Sequence, residues 1–172
     1  MLTVVKVGGG IGDDALPGVC AALGRRDSLL VVPGGGRFAD AVRDADRRFG
    51  LSAETAHRMA ILGMEQFGWL LSDLIPGAER CTDLERIPTD RTSVLLPAGL
   101  PLDELPASWD VTSDSIAAWV ARRTGAERLV LVKAVAVVDD YFPTAIEGAR
   151  FETSVITPEE LLDDPLLRWR HG

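Results

Sequence analysis

Residues 28–43, SLLVVPGGGRFADAVR, run an apolar segment into three consecutive glycines and then into a helical pattern. Residues 2–14, LTVVKVGGGIGDD, repeat the arrangement with Lys6 just ahead of the glycines. Val4, Val5 and Val7 are β-branched and lie on both sides of the chain, the pattern of a strand buried on both faces. Both glycine runs therefore fall at the carboxyl ends of strands, where open α/β sheets bind their ligands. Glycine lets backbone N–H groups approach an anion with no Cβ in the way, and a following helix N-terminus adds a favourable dipole. A pair of tight strand-to-helix turns would use glycine too. Two triple runs, one beside a lysine, favour phosphate chemistry.

The rest of the chain alternates strand-like and helix-like segments. Asp13 or Asp14 is placed to cap a short helix through ALPGVCAALG, with Pro17 in its first turn. Phe38, Ala41, Val42, Ala45 and Phe49 recur at helical spacing, and Gly50 stops that helix. Ser52 can cap a long helix through AETAHRMAILGMEQFGWLLSDLI, whose apolar residues cover more than one face. SVLLP is a third strand, and RLVLVKAVAVV a fourth. Between them WDVTSDSIAAWVARRTG leads a loop into a helix that Gly125 ends. Near the end Thr157, Pro158 and Glu160 form a capping box. Apolar strands alternating with helices predict an α/β fold with a parallel-rich sheet and helices on both of its faces.

At 172 residues the chain has the length of a single domain, and 47% hydrophobic with 26% charged residues is ordinary globular usage. A formal net charge of -8 disfavours nucleic acid as a partner, because phosphate backbones are held by clustered lysine and arginine. The two cysteines, Cys20 and Cys81, have no metal-binding spacing and suit a reducing compartment. The first residues lack a signal-peptide pattern and no apolar run reaches about 20 residues, so a cytoplasmic protein without membrane contact is expected.

Asp110 and Asp114 flank Thr112 and Ser113 just ahead of the helix in WDVTSDSIAAW. One carboxylate suffices for an N-cap. A second, near two phosphate loops, could orient lysines or accept hydrogen bonds from a substrate.

KVGGG, VVPGGG and the TSDSIAAWVA…GAERLVLVK block, in that order over about residues 1 to 140, resemble the amino-acid kinase family. FADAVR, AHRMAILGMEQFG and WDVTSDSIAAW look most like its small archaeal-type members, the aminomethylfuran-methyl phosphate kinases of methanofuran biosynthesis. The resemblance implies one domain spanning residues 1–172, an α/β three-layer αβα sandwich with a mostly parallel central sheet. It implies transfer of the γ-phosphoryl group of ATP to a small phosphomonoester, with Mg²⁺ arriving on the nucleotide and no metal site of the protein's own. It implies that Lys6 neutralises charge on the transferring group and that Asp114 organises the catalytic lysines. Gly8, Gly9 and Gly10, with Lys133 and Val135, are implied for ATP. Gly34, Gly35, Gly36, Arg37, Asp40, His57, Asp110 and Thr112 are implied for the acceptor. Asp114→Asn is then expected to act on rate rather than on folding.

The chain departs from the family in two places. Ala136-Val137 stands where many members have Asp-Gly in the nucleotide loop, and the late glycine-rich segment with a second catalytic lysine is missing, so the C-terminal nucleotide-binding part is short. Lys133 is the one remaining lysine. These departures leave a competing expectation, a binding or storage protein or a catalytically silent subunit on the same fold. Trp69, Trp109, Trp119 and Trp169 are expected in core or interface. The long apolar helix predicts a homo-oligomer, at least a dimer.

Overall fold

The computed structural model describes residues 1–163, which leaves Trp169 outside the described residues. Its sheet has six strands, β1 (Thr3–Val7), β2 (Leu29–Pro33), β3 (Glu79–Cys81), β4 (Thr92–Leu95), β5 (Arg128–Val132) and β6 (Glu152–Ile156). They lie in the order β3-β4-β2-β1-β5-β6, and every pairing is parallel. The helices are α1 (Leu16–Leu23), α2 (Gly36–Phe49), α3 (Ala53–Leu74), α4 (Ser113–Thr124), α5 (Phe142–Ile146) and α6 (Pro158–Asp163).

Side-chain alternation divides the sheet between two cores. Val4, Leu30, Val32, Leu129 and Leu131 pack with α4 and α5 through Ile116, Val120 and Phe142. Val5, Val7, Val31, Val130 and Val132 pack with α1, the second half of α3 and α6 through Val19, Leu71 and Leu161. This is the expected three-layer αβα arrangement. With both faces covered, the central strands read as continuous apolar runs. The first half of α3 pairs with α2 as a hairpin beyond the carboxyl ends of the strands. Gly63 makes that pairing close, since a Cβ there would come within 3.1 Å of Ala39 N.

Several local expectations change. Neither β3 nor β6 stands out as an apolar run: Glu79 and Arg80 are exposed, as are Glu152, Thr153 and Ser154, because these are the two edges of the sheet. The fourth expected strand closes at Val132, and residues 134–137 form an exposed loop. Neither Asp13 nor Asp14 caps α1, whose N-cap is Ala15 without a side-chain bond. Along α2 only Ala39 and Val42 are buried, and Phe49 is 72% exposed, since this helix rests on α3 and not on the sheet. The caps at Ser52, Gly50, Gly125 and the Thr157–Glu160 box form as expected. Among the described residues no helix is long and apolar enough to cross a membrane.

The paired glycine runs are explained by their contact with each other. In-register pairing of β1 with β2 sets Val7 beside Pro33, so the two loops leave the sheet side by side. A Cβ on Gly9 would lie 2.1 Å from Gly36 N, and one on Gly34 would lie 2.5 Å from Gly9 N. Gly36 also has φ +52°, a left-handed conformation that favours glycine. Gly10 has open space around it. Gly9→Ala should therefore cost about 1–3 kcal/mol or more through backbone overlap, whereas Gly10→Ala should stay within about 0.5 kcal/mol. Urea unfolding of the two variants checks this contrast.

Candidate active site

Strand periodicity decides which side chains reach α4. Lys6 follows Val4 at a two-residue step, and Lys133 follows Leu129 and Leu131, so both lysines project to the α4 face. Asp114, the second residue of α4, receives them. Lys6 Nζ lies 2.8 Å from its Oδ1, and Lys133 Nζ donates to its Oδ2 at 2.5 Å. The Asp114 side chain is 2% exposed, that of Lys6 5% and that of Lys133 15%.

Asp114 is free for this role because a different residue caps the helix. Asp139, in the loop after β5, accepts hydrogen bonds from Thr112 N, Thr112 Oγ1, Ser115 N and Ser115 Oγ. Its own N–H donates to Asp114 Oδ2 at 3.2 Å. One residue thus closes the first turn of α4 and ties the β5 loop to the lysine-binding carboxylate. The expected N-cap role of the 110–114 aspartates gives way to this distant cap.

Burial raises the proton affinity of the Asp114 carboxyl, but the Lys6 and Lys133 ammoniums outweigh it and hold the group below its ordinary range. For Lys6 the balance runs the other way. Burial, helped by the Lys133 charge, lowers its proton affinity against the pull of Asp114. With Asp139 turned to the N-terminus of α4, two ammoniums share one carboxylate, and an arriving anion would complete the charge balance.

Lys6, Lys133 and Asp114 line a cavity of about 640 Å³ bounded by both glycine loops, α2, α3 and the loop after β5. Of the residues expected to serve ATP, Gly8, Gly9, Gly10, Lys133 and Val135 all line it. Of those expected to serve the acceptor, Gly35, Gly36, Asp40, His57 and Thr112 line it. Three are placed elsewhere. Gly34 packs on the Gly8–Gly9 backbone, and Arg37 is 70% exposed and ion-paired to Asp13. Asp110 is exposed, its carbonyl accepting from Tyr141 N.

The cavity also takes residues that sequence reading passed over. Trp109, expected in core or interface, is in the wall. It donates Nε1–H to Asp46 at 2.8 Å and carries the Arg43 guanidinium 4.8 Å from its ring centroid. Arg43 also pairs with Asp40 at 2.8 Å. His57 Nε2 is buried without a hydrogen-bond partner, and burial followed by the Arg58 charge lowers its proton affinity. Asp139 was visible only as one of two aspartates after an apolar run, with no spacing to link it to a helix 25 residues earlier.

No protein-family model matches the sequence. The chain is 30% identical over 149 residues to the [5-(aminomethyl)furan-3-yl]methyl phosphate kinase of Methanocaldococcus jannaschii, covering 81% of this chain and 69% of that protein. The uridylate kinase of Archaeoglobus fulgidus superposes with a TM-score of 0.72 at 18% identity, over 98% of this chain and 96% of that one. The UMP kinase of Ureaplasma parvum gives 0.68 at 11% identity, over 98% and 92%. The solved structures establish the fold. With the first relative they place this chain in the amino-acid kinase family.

Because Asp114 pairs with buried Lys6 and half-buried Lys133, its replacement should disturb folding as well as rate. Asp114→Asn should destabilise by roughly 3–5 kcal/mol near neutral pH, as loss of one member of a buried ion pair does. The carboxylate's contribution is complete above the ordinary aspartate pKa of about 3.9 and is lost as pH falls through its depressed folded value. The gap between wild type and variant in urea unfolding should shrink over that acid range.

Proposed function

We propose that this chain is an ATP-dependent kinase whose acceptor is a small phosphomonoester, with aminomethylfuran-methyl phosphate as the first candidate. The observation that carries the reading is the meeting of Lys6 and Lys133 on Asp114, beside a glycine loop, in one wall of a cavity of ligand size. The family supports phosphoryl transfer from ATP, and the curated relative's name supplies the acceptor.

In this reading the ATP phosphates lie along Gly8, Gly9 and Gly10, and the acceptor lies toward Gly35, Gly36 and the α2–α3 hairpin. An acceptor phosphate oxygen attacks the γ-phosphorus as the bond to the β,γ-bridging oxygen breaks, giving a diphosphate and ADP. Such transfers need positioning and charge neutralisation more than covalent help. Lys6 supplies charge at the transferring group, and Asp114 fixes its ammonium in place. Trp109, Arg43, Asp46 and His57 form the acceptor end, where an aromatic face and polar groups would hold a small ring. Mg²⁺ would be held by nucleotide phosphates and water. Among the described residues no group of three or more His, Cys, Asp or Glu is placed for a metal, and both Asp114 oxygens face lysines.

Steady-state ADP release against a panel of phosphomonoesters and carboxylates tests the proposal. Turnover with a phosphomonoester, cut on the order of a hundredfold or more by Lys6→Ala, is the expected result. Nucleotide binding without ADP release on any acceptor would instead support the binding, storage or silent-subunit reading.

We also propose that the working form is at least a dimer. Leu62, Trp69, Leu70 and Leu74 leave an apolar stripe on the outer side of α3, between 39% and 54% exposed. A second copy of this helix is its proposed cover. Light scattering at micromolar concentration should give twice the chain mass or more, and Leu70→Asp should lower it.

A further inference from the structure

We propose that Lys133 is a catalytic residue, a second cation on the transferring phosphoryl group and not only an anchor for the nucleotide. The proposal rests on the kinase reading above.

The chain contains two lysines against sixteen arginines. Cationic roles elsewhere fall to arginine: surface ion pairs at Arg43 and Arg91, helix carbonyls at Arg122, an indole face at Arg80. Both lysines contact the same carboxylate, one at each oxygen. Arginine presents a wide planar fork, whereas lysine presents a compact point charge. A composition that uses arginine everywhere else and lysine only at this carboxylate marks a place where two compact charges must sit close together.

The backbone puts both at one point of the cavity. In-register pairing of β1 with β5 sets Val7 beside Val132, so Gly8 leaves the sheet next to Lys133. A Cβ built on Gly8 would lie 3.5 Å from Lys133 Cα and 3.6 Å from Lys6 Nζ. The first glycine of the phosphate loop thus lies beside the Lys133 backbone and the Lys6 ammonium, and all three residues line the same cavity. Lys133 is the more exposed of the two. Asp114 balances only one of the ammoniums. The second is complemented by anionic charge that arrives with the substrates and is spread over the equatorial oxygens in the transition state.

The test is kcat together with ADP affinity in Lys133→Met, which keeps the stem length and removes the charge. Asp114 keeps Lys6 in this variant, so no buried charge is stranded. The expected result is a loss in kcat on the order of a hundredfold, with the Kd for ADP, which lacks the transferred group, within about threefold. Unchanged kcat with ATP KM and ADP Kd raised together would overturn the proposal and make Lys133 a nucleotide anchor. Lys133→Arg keeps a charge opposite Asp114 and decides the matter if Lys133→Met does not fold. It too should lose kcat with ADP affinity retained, and wild-type kcat in it would overturn the proposal. Failure of the kinase reading looks different: wild-type protein then releases no ADP with any acceptor, and the role assigned to Lys133 falls with it.

Discussion

Asp114 is a buried carboxylate with an ammonium at each oxygen, and the arrangement of three elements follows from that contact. Lys6 comes from the centre of the sheet, Lys133 from the end of the neighbouring strand and Asp114 from the first turn of α4. Each charge would be costly to bury alone, several kcal/mol even after relaxation, and the cost to the ammoniums is offset only while Asp114 is in place. The cluster therefore ties the register of β1 on β5 to the position of α4. Asp139 completes it by capping α4 from the β5 loop, so the helix dipole and the lysine site share one anchor.

The glycine loops impose the second constraint. Because Gly9 presses on the Gly36 backbone and Gly34 on that of Gly9, β1 and β2 deliver two loops fused into one surface. That surface forms one side of the cavity, and the α2–α3 hairpin forms another. Gly63 and Ala39 bring the hairpin close, while the opposite side of α3 keeps its apolar stripe for other contacts.

Much of this was legible in the sequence, for physical reasons. Val4, Val5 and Val7 read as a doubly buried strand because both sheet faces are covered, and Gly50, Gly125 and Ser52 mark helix ends through local backbone geometry. The order of glycine loops, lysine and the 110–114 segment gave the family. Long-range effects were hidden. Edge strands β3 and β6 carry polar residues because one of their sides faces water. Asp139 reaches α4 only through the fold, and Arg37 was drawn to Asp13 and not to the cavity. Trp109 looked like any other core tryptophan until Asp46 and Arg43 were brought to it from α2.

Selective labelling is unusually informative for a chain with two lysines. With 15N-lysine incorporated, the side-chain ammonium spectrum contains a signal for each of Lys6 and Lys133. The shared-carboxylate account predicts that both differ from free lysine and that Asp114→Asn, in protein that remains folded, moves both. A lysine signal that coincides with free lysine and ignores the Asp114 substitution would contradict it.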